Sequence, residues 1–158
     1  MSELPKGWKV ISFADLTNNH DGRRIPVKAS DRQATQGSYP YYGASGIIDF
    51  VNEYLFDGEY LLIAEDGANL LTRSTPIAFR ARGKFWVNNH AHVVTCTDAT
   101  SYSYLEFYLN SISLAPFVTG SAQPKLTQRS LNALPIPLAP EPEQRRIVKK
   151  SPSVPEAV

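Results

Sequence analysis

A chain of 158 residues with 42% hydrophobic and 20% charged content is long enough for one domain with a real core and short for two. One cysteine, Cys96, excludes an internal disulfide, and no apolar run approaches the roughly 20 residues of a membrane-spanning helix. Sixteen basic and fifteen acidic residues leave a net charge of +1, which neither requires nor excludes a polyanionic partner.

In chain order, Trp8 to Ile11 reads as a short strand and Ser12 to Leu16 as a helical turn. Asp21-Gly22 is a turn signal inside a polar stretch, and residues 26–38 have no period and read as an exposed loop. Tyr39 to Gly43 is an aromatic strand end, Gly46 to Val51 a strand, and Asp57-Gly58 a turn. Tyr60-Leu61-Leu62-Ile63-Ala64 is continuously apolar, which suits a strand buried on both faces and closed by Glu65-Asp66-Gly67.

Further on, Pro76 to Arg80 and Lys84 to Val87 read as a hairpin turning at Arg82-Gly83, and Ala91 to Cys96 as a strand. Ser101 to Leu114 places Tyr104, Leu105, Tyr108, Leu109 and Ile112 at helical spacing, with Pro116 as its stop. Thr127 to Leu134 is a shorter helix with Thr127 as N-cap. Pro135 to Leu138 is extended, and Glu141 to Lys150 opens a third helix that Pro152 and Pro155 stop. The pattern predicts one α+β domain, strand-rich first and helical towards the C-terminus.

Charges are unevenly distributed. Residues 23–32 hold Arg23, Arg24, Lys28 and Arg32 with Asp31 as their only acid, and residues 73–84 hold Arg73, Arg80, Arg82 and Lys84 with none. Residues 49–66 hold six acids and no base. Arginines and lysines neutralise phosphates, while amides such as Gln33 read base edges. The two basic segments are therefore expected to form one nucleic-acid face, with Tyr41 as an aromatic contact and Gln123 and Lys125 at its edge. The acidic stretch is expected to lie mainly away from it, although Asp66 is suited to accept a bond from cytosine. Enzymatic signatures are sparse: Gly43-Ala44-Ser45-Gly46 precedes a strand rather than a helix, and there is no Gly-Lys-Ser/Thr phosphate loop. His90-Ala91-His92 is the sharpest catalytic hint, because alternation puts both imidazoles and Cys96 on one face. A metal-dependent or hydrolytic enzyme using His90 and His92, and a protein-interaction module without DNA binding, are the competing classes.

Several blocks carry a family resemblance. Leu4-Pro5-Lys6-Gly7-Trp8 opens the chain, followed by Tyr39 to Asp49, Leu62 to Ala68 and Trp86 to Val93. Gly120-Ser121-Ala122-Gln123-Pro124-Lys125-Leu126-Thr127, Leu134-Pro135-Ile136-Pro137-Leu138 and Glu143-Gln144-Arg145-Arg146-Ile147-Val148 close it. In order and spacing over residues 4–148 they resemble the DNA-specificity subunits of type I restriction–modification systems. The resemblance implies double-stranded DNA recognition in the major groove, one half-site per domain. Methyltransferase and restriction subunits would be the partners that carry the chemistry, and the module itself would have no catalytic residue and no cofactor. It departs from the family pattern in having one recognition domain, residues 1–140, and a spacer helix at 141–158 that is cut short, with a disordered tail. A second copy is then an expected partner. The N-terminus has no charged-then-apolar leader, and with the lone cysteine this sets a cytoplasmic expectation.

Overall fold

The computed structural model describes residues 4–120 and 122–150. Strands and helices run in the order β1 (Lys9–Ser12), α1 (Phe13–Leu16), β2 (Thr17–Asn19), α2 (Ala29–Gln33), β3 (Gln36–Gly43), β4 (Gly46–Val51), β5 (Phe56–Ala64), α3 (Asn69–Thr72), β6 (Ala78–Val87), β7 (Ala91–Cys96), α4 (Tyr102–Ser111), α5 (Gln128–Asn132), β8 (Pro135–Leu138) and α6 (Glu141–Lys150). Two 3-10 turns, Asp21–Arg23 and Ala115–Phe117, complete the list. The main sheet has the order β2-β7-β5-β6-β3-β4, and β1 pairs with β8 in a second, two-stranded sheet. All pairings are antiparallel except β3 with β6. This is the α+β architecture the sequence predicts.

Two expected turns are absent. Asp57-Gly58 lies inside β5 and Arg82-Gly83 inside β6, and Gly58 and Gly83 face each other across the ladder. Their φ angles are +144° and +81°, a region that L side chains avoid. No atom other than its chain neighbours stands within 4 Å of a Cβ built on Gly83, so backbone conformation rather than space calls for glycine there. The pair lets both strands coil without breaking.

Connectivity demands that coil. Ala91 stands opposite Ala64 and Phe85 opposite Phe56, at opposite ends of β5. A straight β5 would separate those ends by roughly 26 Å, and Val87 lies beyond the far one. Yet the link from Val87 to Ala91 spans at most about 14 Å. The β5–β6 ribbon therefore curls until its far end returns towards the start of β7. Neighbouring residues prove the closure: Arg23 donates to the Leu55 carbonyl, at one end of β5, and Arg24 to Glu65 and the Ala91 carbonyl, at the other.

Curling produces two cores. Inside the coil lie Tyr42, Phe56, Tyr60, Leu62, Phe85 and Val87, with Phe56 and Phe85 stacked at 5.4 Å. On the other side Leu61, Ile63 and Val94 pack against Phe13 and Leu16 of α1, Leu105 and Leu109 of α4, and Leu131, Leu134 and Ile136 near the C-terminus. β5 thus buries Tyr60 and Leu62 in one core and Leu61 and Ile63 in the other, as its unbroken apolar run predicts.

Helix α4 starts on Ser101, whose hydroxyl accepts the Tyr104 amide, and ends at Ser111, before the proline expected to stop it. Pro116 instead enters the second 3-10 turn. The region predicted as an unbroken loop contains α2 and the first strand residues of β3. The third helix appears as α6, tied to the body through buried Gln144, which donates to the Ala139 carbonyl at 2.8 Å, and through Trp8, which donates to Glu143 at 2.7 Å. The tail expected to be disordered lies outside the described residues.

Candidate functional site

The 3-10 turn at Asp21–Arg23 anchors the most polar part of the interior. His92 is fully buried on β7; its Nδ1 lies 2.7 Å from an Asp21 oxygen and its Nε2 2.7 Å from the Leu126 carbonyl. Asp21 accepts the Val93 amide at 2.8 Å, and Glu65 approaches His92 at 3.4 Å. Arg24 closes the group by donating to Glu65 at 3.0 Å and to the Ala91 carbonyl at 2.9 Å. Burial opposes ionisation of Asp21, but the hydrogen bond and charge of His92, the Val93 amide and Arg24 outweigh it and hold the carboxyl below the usual range.

Asp21, Glu65 and His92 present their ligand atoms within 4.8 Å of one another, which is compact enough for a cation. The chemistry of the group argues against one. Both ring nitrogens of His92 are already engaged, and Arg24 and Lys125 both lie against Glu65. A metal would have to displace bonds that join four segments of the chain. His90 is not part of this cluster. It is half exposed, and its Nδ1 sits 2.9 Å from both oxygens of Asp66. Cys96, on the same strand, has its thiol pushed up to about 12 by burial and by Glu59, so it stays protonated.

Several of the predicted contact residues serve the fold. Arg24 is built into the buried network. Arg32 pairs with Asp49 at 2.9 Å, lies 4.6 Å over the Tyr41 ring and donates to the Val27 carbonyl. That bond to Arg32, followed by the Phe50 amide, holds the Asp49 carboxyl below its ordinary range. Tyr41 is 1% exposed and its hydroxyl bonds Val27, so its ring has no free face for a base. Arg73 is remote from both: its guanidinium donates to the carbonyls of Leu109, Asn110 and Ile112 and so caps the end of α4.

All the remaining predicted residues except the half-buried Arg80 face outward. Arg23, Lys28, Gln33, Arg82, Lys84, Gln123 and Lys125 are exposed. Arg23 is held over the Phe56 ring at 4.6 Å and Lys84 over the Tyr54 ring at 5.1 Å. These two cations, from different basic segments, therefore meet around residues 54–56. Trp86 donates to the Ile25 carbonyl at 2.7 Å and extends the same junction. Exposed Tyr54, edge-on to Tyr39 at 5.3 Å, is a surface aromatic that the sequence did not single out.

The acids do not stand apart as expected. Glu59 lies opposite Arg82 on β5 and pairs with both Arg82 and Arg80 at 3.5 Å, while Glu106 of α4 takes Arg80 from the other side at 3.7 Å. Asp49 pairs with Arg32, and Glu65 with Arg24 and Lys125. Strand pairing explains the Glu59 pairs: a basic β6 beside an acidic β5 neutralises itself across the ladder.

The comparisons with known proteins agree with one another. The type I restriction modification DNA specificity domain family matches residues 5–150. A putative type I restriction enzyme specificity subunit of Haemophilus influenzae is 42% identical over 144 residues, covering 90% of this chain and 35% of that protein. The EcoprrI specificity subunit of Escherichia coli is 32% identical over 104 residues, covering 66% of this chain and 25% of its own length. The chain thus spans about a third or less of these curated relatives. Among solved structures, a type I S subunit from M. genitalium superposes with a TM-score of 0.71 at 13% identity, over 94% of this chain and 39% of that one. The HsdS subunit of Thermoanaerobacter tengcongensis gives 0.62 at 18% identity, over 94% and 37%. At such identities these two likenesses speak to the fold.

Proposed function

Because the chain belongs to the type I restriction modification DNA specificity domain family, we propose that it is a target-recognition module for double-stranded DNA. It reads one half-site and directs methyltransferase and restriction subunits, which carry the chemistry. The observation that carries this is the family match over residues 5–150, nearly the whole chain, together with 42% identity to a specificity subunit. Residues 1–140 form the reading domain, and α6 begins the spacer. A second module, either another copy or another domain, reads the other half-site. The module has no cofactor and acts in the cytoplasm. Among the described residues no helix is long and apolar enough to cross a membrane.

The phosphate-facing surface in this proposal runs through the outward cations Arg23, Lys28, Arg82 and Lys84, with Gln33 beside them. Arg23 and Lys84 are preorganised by aromatic rings, which lowers the entropy lost on binding. Arg24, Arg32, Arg73 and Tyr41 act indirectly, by holding that surface in shape. Arg80, clamped by two acids, belongs with them.

Selection from a random duplex library tests the proposal, with methyltransferase subunits added in a parallel arm. Enrichment of a short motif, with affinity falling steeply as salt rises, is the expected result. Retention of no duplex at low salt in either arm would overturn it.

A further inference from the structure

The turn that ends β5, the start of β7 and the segment before α5 enclose a cleft of about 400 Å3. Its walls include Asp66, Gly67, His90, Gln123, Pro124 and Lys125. Nothing in the comparisons assigns a role to it.

The cleft is held open by backbone bonds. Glu65 donates its amide to the His90 carbonyl at 2.9 Å, Gly67 to the Pro124 carbonyl at 3.0 Å, and Leu126 to the Glu65 carbonyl at 2.6 Å. The buried network of Glu65, His92 and Arg24 lies directly behind it, because Glu65 adjoins Asp66 and the Asn89 carbonyl, next to His90, also accepts from Arg24. The walls are thus fixed before any ligand arrives, as a reading site requires.

Their chemistry is complementary. Asp66 is an acceptor whose two oxygens each lie 2.9 Å from the His90 Nδ1, and the Nε2 of that ring is left as a further hydrogen-bonding atom. Lys125, whose ammonium also lies 3.8 Å from Glu65, and the Gln123 amide are both exposed and bring donors to the same cleft. A base-pair edge in the major groove shows the reciprocal pattern, an exocyclic amine beside ring or carbonyl acceptors.

We infer that this cleft reads one base pair, with Asp66, positioned by His90, accepting from the exocyclic amine of cytosine or adenine and Gln123 and Lys125 donating to the neighbouring acceptors. The inference rests on the DNA-recognition proposal above and deepens it. Asp66→Asn replaces half of the acceptor by a donor, so it alters discrimination rather than general affinity.

The test uses the full chain and the duplex it selects, together with every single base-pair substitution of that duplex. Asp66→Asn and His90→Gln, each checked for an unchanged thermal transition, are expected to lose about tenfold discrimination at one position and to keep it elsewhere. Lys84→Ala, in parallel, is expected to weaken all duplexes alike. Wild-type discrimination retained at every position by both cleft variants would overturn the inference, as would a uniform loss across all duplexes. A wild-type chain that selects no duplex would instead overturn the DNA-recognition proposal, and the cleft assignment with it.

Discussion

The segment from Arg23 to Gln33 and the segment from Arg73 to Lys84 look alike in sequence, each a run of four cations with at most one acid. In three dimensions they divide their cations differently. The first segment turns two inward: Arg24 enters the buried Asp21–Glu65–His92 network, and Arg32 clamps Asp49 above Tyr41. The second turns one inward, Arg73 at the end of α4, and strings the others along one face of β6 by alternation, where Glu59 and Glu106 clamp Arg80 and leave Arg82 and Lys84 outermost. A guanidinium carries five donors, so it can satisfy several buried carbonyls at once, whereas Lys28 and Lys84 remain exposed. Cation count in a sequence therefore overstates the charge available to a phosphate backbone.

The largest expected effect tests the inward half of that contrast. Arg24→Met removes a partner of Glu65 and Asp21 and the donor to three carbonyls, those of Asp21, Asn89 and Ala91, leaving buried charge uncompensated. A loss of about 3–5 kcal/mol in urea unfolding is expected. A loss near zero would place Arg24 with the surface cations and erase the difference between the segments.

Arg73→Ala is next. Its three hydrogen bonds cap α4 and also favour the negative end of the helix dipole, so about 2 kcal/mol should be lost. Duplex affinity per folded molecule should not change. A selective loss of DNA binding without loss of stability would show that Arg73 belongs to the interface.

Acid is expected to sharpen the same point. The folded Asp21 carboxyl titrates below its unfolded value, so its contribution is fully present above about pH 4. That stability is lost as pH falls through the folded value. Asp21→Asn should be less stable at neutral pH and should flatten this part of the acid unfolding curve. An unchanged acid limb in the variant would mean that the network is not what holds the turn.

These features differ in how far the sequence reveals them. β4 is legible because its burial alternates, β5 and β7 because short apolar runs bounded by turn signals are buried on both faces, α4 because its apolar residues fall at helical spacing, and α5 because Thr127 caps it. Asp57-Gly58 and Arg82-Gly83 mislead because a glycine with positive φ serves a coil in paired strands as well as a turn, and only the partner strand decides. The site was partly legible: Gln123, Lys125 and the acceptor role of Asp66 are visible as residue types. What joins them to His90 is not, because the link is a β-ladder between residues 24 apart and a loop arriving from before α5. A histidine two residues from a buried histidine reads as a metal pair until its partner is known to be a half-buried aspartate.

The smallest effect on stability should be the most informative about function. Arg82 is half exposed and meets Glu59 at 3.5 Å, a surface ion pair in which screening and side-chain entropy offset most of the Coulomb gain. Lys84 rests over exposed Tyr54. Replacing either by Ala should leave the unfolding midpoint close to that of the parent chain. If each neutralises one phosphate, removing it releases one fewer counterion on binding, and the slope of log affinity against log salt should fall by about one per substitution. The loss should be the same for selected and unselected duplexes, because a phosphate contact carries no base information. Arg82 has a further constraint, since Glu59 must release it before it meets a phosphate, so its loss should be smaller than that of Lys84. Equal slopes for parent and both variants would remove β6 from the interface and leave the first segment and the cleft as the DNA-facing part.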